Sequence, residues 1–189
     1  MISWIVGGLI VILIFYSISL FNYLIRLKNS VGKNWANIDV LLKQRNDELH
    51  KLIETCKQYR DFEQSTLKAI VAARNHAETA QTNLNMADLG VAENAIRSGL
   101  TRLFALAENY PDLKTNNSFI QLQNRISDLE NAIADRRELY NESVNINNIA
   151  IEQFPSNIVA KTFGFKDFDL LEFSDAEKKD VDVKQMFNR

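Results

Sequence analysis

The sequence predicts an all-α protein: an N-terminal transmembrane helix over residues 1–21, then an antiparallel four-helix bundle with long first and last helices over residues 22–155. Three observations support this fold class. Residues 2–21 carry no charge, the apolar positions that follow recur every three or four residues, and the 189-residue chain has only 2 prolines and 6 glycines. Strand-rich folds need frequent turns, which draw on Gly and Pro, so their scarcity favours a few long helices.

The first segment, residues 2–21, reads ISWIVGGLIVILIFYSISLF. A helix of this length rises about 30 Å, which matches the hydrocarbon core of a bilayer. A signal peptide usually has a basic start and a small-x-small cleavage site, and residues 17–19 (SIS) fit such a site poorly. The sequence therefore predicts an uncleaved, single-pass membrane span whose partner is the lipid bilayer.

Residues at the two ends of this span are candidates for contact with the membrane interface: Trp4, Tyr23, Arg26, Lys28 and Lys33. Aromatic side chains are enriched at both interfaces, and Lys and Arg are enriched on the cytoplasmic side. The three basic residues follow the span and none precedes it, so the positive-inside rule favours a cytoplasmic body. The extracytoplasmic side is the alternative.

The first bundle helix is predicted over residues 22–60, continuous with the span. Its inward positions recur at helical spacing: Leu24, Leu27, Val31, Trp35, Ile38, Leu42, Arg45, Leu49, Leu52, Cys56 and Tyr59. Such a stripe faces a protein core, and one of its members is an arginine. The stripe therefore raises the question of what Arg45 contacts.

Three further helices follow, over residues 61–85, 88–110 and 119–154. Pro111 separates the helix over 88–110 from the helix over 119–154, because the residue before a proline avoids the α region. Asn116, Asn117 or Ser118 can cap the last helix, which Pro155 ends. The inward positions include Leu67, Ile70, Arg74, Ala77 and Leu84, then Leu89, Ala92, Ile96 and Leu103, then Phe119, Ile126, Ile133, Tyr140, Val144 and Phe154.

Residues 156–189 lose the periodicity, and we expect a C-terminal extension that is partly ordered and then flexible. The stretch SNIVAKTFGFKDF is apolar enough to pack against the end of the bundle. The stretch SDAEKKDVDVKQ is highly charged and has no clear apolar face, which is typical of a frayed terminus.

Four ordered blocks resemble the LemA family of bacterial membrane proteins: NYLIRLKNSVGKNWANIDVLLKQRNDEL, LIETCKQYRDFEQSTLKAIVAAR, AENYPDLKTNNSFIQLQNRISDLENAIADRRELYNESV and IEQFPSNIVAKTFGF. Asn22-Tyr23 stands where the family usually has Tyr-Asn, and Cys56 where it typically has valine. The resemblance implies a single membrane anchor, an antiparallel helical bundle and no catalytic residues. Some relatives look like lipoproteins, whose bodies would lie outside the cytoplasm.

Charged residues on or beside the stripes form a candidate structural ion-pair layer: Arg45, Arg74, Glu108, Glu130 and Arg137. The more common fate of such an arginine is to snorkel, with its stem on the core and its head in water. The sharper hypothesis pairs Arg45 with Glu130. A pair of this kind adds little net stability but can set which helices pair and in what register.

Catalytic signatures are missing from the sequence: it contains no HExxH, CxxC, GxxxxGK[ST], GxSxG or GxGxxG. Asp47-x-x-His50 is one loose match to the Glu-x-x-His pattern of metal-binding bundles, and His76 has no acidic residue three positions before it. A net charge of −2 indicates no nucleic-acid footprint. We therefore predict no enzyme activity, cofactor, metal, nucleic acid or small-molecule substrate.

The predicted function is that of a membrane-anchored, non-catalytic scaffold or docking module for another protein, as yet unidentified. The alternative is a self-associating protein with a structural, membrane-shaping or envelope-stress role, which would form homo-oligomers. A metal-binding bundle enzyme is the remote third hypothesis.

Overall fold

The computed structural model describes residues 1–59 and 62–172, and within them every regular element is a helix. In chain order these are α1 (Ile2–Lys57), α2 (Gln64–Thr82), α3 (Met86–Ala107), α4 (Pro111–Lys114), α5 (Asn117–Glu152) and α6 (Ser156–Phe163). The predicted all-α class is confirmed. Residues 60 and 61, where the first bundle helix was expected to end and the second to begin, lie outside the described residues. So does the tail 173–189, which was expected to be flexible.

The first helix, α1, joins the apolar N-terminal segment to the first bundle helix without a break. It contains an 18-residue stretch of mean hydropathy 2.4, none of which is buried by the described part of the protein. By length and composition this stretch is able to cross a membrane. Its exposure distinguishes it from a core helix, which buries its apolar side chains against the rest of the fold.

The turn between α2 and α3 differs from the sequence expectation. Asn85 is the N-cap of α3, and its side-chain oxygen accepts the backbone N–H of Asp88 at 3.1 Å. The chain must therefore leave α2 before Asn85, and it does so with Leu84 in the left-handed region at φ 52. Leu84 is exposed in this turn rather than inward, because the cap ends the helical register on which its predicted orientation depended.

Pro111 begins a helix as well as separating two. It is the first residue of the short helix α4, where its missing N–H leaves no helical bond unmade. Asn116 then caps α5 by accepting the backbone N–H of Phe119 at 3.1 Å. At the other end α5 stops at Glu152, so Phe154 lies beyond the helix and is exposed instead of inward.

The chain divides into two compact units, and both α1 and α5 contribute to each. The first unit comprises Met1–Val40 and Ala134–Leu170. Its core holds Leu24 of α1, Ala150 of α5, and Val159 and Ala160 of α6. Partly buried apolar side chains pack around these four: Leu20, Phe21, Leu27, Ile151 and Phe165.

The predicted packing segment after Pro155 is the helix α6 with the strap that follows it. Gly164 ends α6 with φ 69, a conformation that costs glycine little, and the N–H of Phe165 donates to the carbonyl of Ala160 at 2.9 Å. The strap then pairs with α5: the Asn148 side chain accepts the N–H of Phe168 at 3.0 Å and donates to its carbonyl at 2.9 Å. These bonds hold the strap against the first unit.

The second unit consists of Leu41–Ile133 together with residues 171 and 172. Its core is lined by the stripes of α1, α2, α3 and the first half of α5, with side chains such as Leu49, Ile70, Ile96 and Ile126 buried. Helices α2 and α3 approach closely at Gly99, where an added Cβ would lie 2.7 Å from Cγ1 of Ile70. This unit contains the candidate site.

Candidate functional site: a buried charge cluster

Arg45 belongs to the second unit and is completely buried. Its place on α1 is between Leu42 and Leu49, three and four residues away, which are also buried. Helical spacing alone therefore carries the guanidinium into the core. Because arginine keeps its charge in proteins, the fold must supply anions beside it.

Two carboxylates from two other helices meet this guanidinium. Glu93 of α3 binds it end-on, with Nη1–Oε2 at 2.5 Å and Nη2–Oε1 at 2.7 Å. Glu130 of α5 accepts a third hydrogen bond from Nη1 at 3.0 Å. A bidentate Arg–carboxylate pair is among the strongest and most directional polar contacts in proteins. The three residues therefore tie α1, α3 and α5 together at one level.

A second arginine brings the cluster to charge balance. Nε of Arg97, one turn after Glu93 on α3, lies 3.7 Å from Oε2 of Glu130. Two arginines then face two glutamates, and the cluster is neutral overall. Nε of Arg45 has no hydrogen-bond partner within residues 1–59 and 62–172, so one donor of the buried guanidinium is left over.

Burial and the two carboxylate partners have opposite effects on the pKa of Arg45. Burial is the largest single influence and by itself lowers the pKa, since a low-dielectric interior disfavours charge. The hydrogen bonds and negative charges of Glu93 and Glu130 together outweigh it, and the pKa of Arg45 is raised above its ordinary value. The guanidinium is therefore permanently charged, and it has no proton to exchange in a reaction.

Beside the cluster, α1 and α5 border a surface groove of about 350 Å³. At its floor is Glu48, almost completely buried, whose carboxylate receives Lys51 at 3.1 Å and Nε of Arg125 at 3.2 Å. The remaining lining is mainly polar: Thr55, Ser118, Gln121 and Leu122. Each charged group in this groove is paired, so the groove presents no unsatisfied acid or base.

Metal-ligating side chains do not converge within the part of the chain that the structure describes. No group of three or more His, Cys, Asp or Glu is placed there to hold an ion. His50 and His76 are both exposed. Cys56 is buried, and its burial raises the pKa of the thiol to about 12, so the reactive thiolate is scarce at neutral pH.

The structure distributes the five predicted ion-pair residues unevenly. Arg45 and Glu130 meet in the cluster, whereas Arg74 is half-buried on α2 and is not one of the cluster's residues. Glu108 instead receives Lys114 at 2.7 Å on the surface. Arg137 belongs to the first unit, not to the unit that holds Arg45. The predicted pairing of Arg45 with Glu130 is therefore present, whereas Glu108 pairs with a residue outside the predicted set.

Sequence reasoning missed Glu93, the strongest partner of Arg45, and with it Arg97. The signal was present in the third stripe: Glu93 follows Ala92 and precedes Ile96 by three residues, so it flanks buried positions. A carboxylate at the edge of an apolar face needs a cation nearby. Such a position is therefore a better guide to a buried arginine's partner than an acid elsewhere on the helix.

The five predicted interface residues are placed along α1, on both sides of the unburied apolar stretch. Trp4 is near its start, and Tyr23, Arg26, Lys28 and Lys33 follow it. All five are exposed. Tyr23 is the first of them after the apolar segment, and the three cations succeed one another within the next three turns.

These features define an all-helical protein with a candidate membrane helix at its N-terminus and a buried charge cluster in its body. The LemA family profile matches residues 34–185, and the chain belongs to the LemA family. The resemblance noted from the four sequence blocks is thereby confirmed. The family match and the apolar helix both point to a membrane-associated helical protein.

Individual relatives agree with this assignment. The chain is similar to Protein LemA of Metamycoplasma hominis, with 27% identity over 168 residues that cover 88% of this chain and 75% of that protein. It is similar to Magnetosome protein MamQ 2 of Paramagnetospirillum magneticum, with 29% identity over 96 residues, 51% of this chain and 35% of that protein. Magnetosome protein MamQ of Magnetospirillum gryphiswaldense matches at 32% over 75 residues, 40% and 28% of the two chains. The matched region thus spans about a third of each MamQ protein.

Proposed function

We propose that this protein is a membrane-anchored, non-catalytic docking module that holds another protein at the bacterial cell membrane. Residues 2–21 serve as its single-pass anchor. The body is an antiparallel four-helix bundle in which the long first and last helices pair in the manner of a coiled coil. Membership of the LemA family and the unburied apolar stretch of α1 support this arrangement.

The observation that carries the non-catalytic part of the proposal is the closure of the charge cluster. Arg45 is fully buried, and Glu93 occupies both of its Nη atoms. A catalytic acid, base or electrostatic clamp has to reach a substrate atom, and these groups reach only one another. Their role is instead to set helix pairing and register, as a buried polar contact does in a coiled coil.

The docking surface that we favour is an exposed apolar stripe on α5. It consists of Leu139, Ile146 and Ile149, spaced seven and three residues apart, and all three are exposed. This is the a/d spacing with which one helix packs against another. A partner helix laid along this stripe would cover apolar surface that the first unit leaves in water.

Self-association is the second candidate function, and the same spacing favours it. A stripe with a/d spacing is able to pair with an identical stripe of a second copy. The chain would then form a homo-oligomer with a structural role in the membrane. The two candidates share a surface and differ in what covers it.

Site-specific photo-cross-linking in cells separates them. A photoreactive amino acid replaces Ile146 in the full-length chain at native expression, and adducts are identified by mass spectrometry. An adduct with a different protein supports docking, whereas an adduct of two copies supports self-association. Ile149→Glu should abolish either adduct, because a charge on the stripe is costly to bury. Asn145→Glu is the matched control, and absence of any adduct contradicts both candidates.

The orientation that we propose places the body in the cytoplasm. Arg26, Lys28 and Lys33 are exposed directly after the anchor, while Trp4 and Tyr23 mark its two ends. Protease added to intact spheroplasts should therefore leave the body uncut. Digestion of the body without prior lysis would place it on the outer side of the membrane.

A further inference from the structure

Helix α6 packs against α1 where the apolar N-terminal segment ends. The ring of Phe163 lies 4.7 Å from that of Phe21, and the ring of Phe165 lies 5.8 Å from it. Val159 and Ala160 complete the contact within the core of the first unit. The position of α6 along α1 is thus defined by the last residue of the proposed anchor.

The side chains of α6 are arranged in an unusual way for a helix in water. Its small residues face the protein, with Ser156, Val159 and Ala160 buried. Its large apolar residues stay mostly exposed: Ile158 is 58% exposed, and Phe163 is 61% exposed even though its ring lies against Phe21. A surface helix of a soluble protein does the reverse, because burial of large apolar side chains stabilises the fold.

The chain just before α6 continues this outward apolar surface. Phe154 is 80% exposed, although Ile151, three residues earlier, packs against the core of the first unit. Lys161, in the last turn of α6, is exposed and cationic. Large apolar side chains beside a flexible cation are the composition of helices that lie in a membrane interface.

Depth along α1 identifies the environment of this surface. If residues 2–21 fill the hydrocarbon core, Phe21 is at its boundary with the headgroups. A helix stacked on Phe21 is then at that boundary too. No second protein is needed to cover Ile158 and Phe163, since the bilayer is already at their level.

We infer that α6 is a second membrane contact, an interfacial helix that inserts Phe154, Ile158 and Phe163 at the junction of headgroups and acyl chains. Interfacial helices bury their apolar face about 5–10 Å into this region. Lys161 extends toward the lipid phosphates. The inference rests on the proposed anchor, and it makes the end of the first unit sit on the bilayer beside the span.

The test uses the full-length protein in vesicles of phosphatidylethanolamine and phosphatidylglycerol. A fluorophore sensitive to polarity is attached to a cysteine introduced by Ile158→Cys or, separately, Phe163→Cys. Native Cys56 is left in place, because its burial and its pKa of about 12 make it unreactive toward the label. Lipids with a nitroxide near the headgroup or near the chain end then report depth.

Two matched positions calibrate the measurement. Leu13→Cys labels the anchor, and Glu138→Cys labels an exposed site of α5 in the same unit. Glu138 is twelve residues from the core residue Ala150, about 18 Å along the helix. It therefore lies well away from the level of α6.

The expected result is a blue-shifted emission at positions 158 and 163, with a greater loss of fluorescence from the headgroup nitroxide than from the chain-end nitroxide. Position 13 should show the opposite order of quenching, and position 138 should show little of either. If position 13 is quenched but 158 and 163 behave like 138, α6 does not touch the membrane and the anchor stands. If position 13 is also unquenched, the anchor and the inference both fail.

Discussion

Removal of one carboxylate from the buried cluster is the most direct test of how the body is held together. Glu93→Gln keeps the size and shape of the side chain and removes its charge. Arg45 then keeps Glu130 as its only charged partner, through one hydrogen bond of 3.0 Å. The guanidinium remains buried and cannot shed its proton, so the free energy of the folded state rises.

The size of this effect follows from the burial of both partners, whose side chains are only 1% and 2% exposed. Breaking a buried pair by removing one partner costs about 3–5 kcal/mol of unfolding free energy. For a domain of this size each kcal/mol lowers Tm by about 2–4 °C, so we expect a decrease of roughly 6–20 °C. Replacing both members of the Arg45–Glu93 pair, as in Arg45→Met with Glu93→Met, should restore the unfolding free energy to within about 1 kcal/mol of the native value.

Thermal unfolding of the full-length protein in detergent, followed by circular dichroism, measures these changes. Glu78→Gln is the matched control, because Glu78 is exposed on α2 and its substitution should change stability by no more than about 0.5 kcal/mol. A Glu93→Gln variant with the same Tm as the Glu78→Gln control would refute a stabilising role for the contact between Arg45 and Glu93. A double variant less stable than either single one would show that the two residues do not act as a pair.

Three further predictions concern packing, thiol chemistry and pH. Gly99→Ala should destabilise the protein by about 1–3 kcal/mol, because the new Cβ would lie 2.7 Å from Cγ1 of Ile70. Gly32→Ala, with nothing within 4 Å, should instead stabilise α1 by up to about 1 kcal/mol. Cys56 should resist alkylation at mildly alkaline pH until the protein is unfolded, because burial raises the pKa of its thiol to about 12. Burial, aided by the charge of a nearby aspartate, also raises the pKa of Tyr140 to about 12, whereas an unfolded tyrosine titrates near 10. The unfolded state therefore loses this proton first, so stability should fall as the pH rises from about 10 to about 12, and Tyr140→Phe should remove that part of the loss.

Each of these three has a clear contrary result. For packing, a Gly99→Ala variant as stable as Gly32→Ala would mean that the Ile70 side chain moves away from the new Cβ without loss of unfolding free energy. For the thiol, equal alkylation rates in buffer and in denaturant would show that Cys56 is open to solvent. In the alkaline titration, an identical fall in stability for the native protein and Tyr140→Phe would assign that fall to other groups.

Much of the helical architecture was readable from the sequence because it depends on short-range spacing. The stripe from Leu24 to Cys56 predicts which face of α1 is buried, and the uncharged residues 2–21 predict the membrane-compatible stretch. Pro111 and Pro155 predict where the helices before them must end. Each of these inferences uses neighbours three or four residues apart, or a single residue's backbone limits.

Other features required the fold. The sequence spacing predicts Leu84 as an inward helical residue. The N-cap that Asn85 forms for α3 instead places Leu84 in the turn before that helix. The outward orientation of Phe163 depends on where α6 meets Phe21, more than a hundred residues earlier in the chain. No local spacing encodes such a contact.

The charge cluster shows most clearly which features the sequence predicts and which depend on tertiary contacts. Sequence alone determined that Arg45 shares a face with leucines and must be buried or snorkel, since that follows from 3.6 residues per turn. Only the tertiary structure decided that Glu93, 48 residues away, takes both Nη atoms while Glu130, 85 residues away, takes one. Which carboxylate meets a buried arginine depends on how separate helices align in space, and electrostatic attraction acts on that distance, not on distance along the chain.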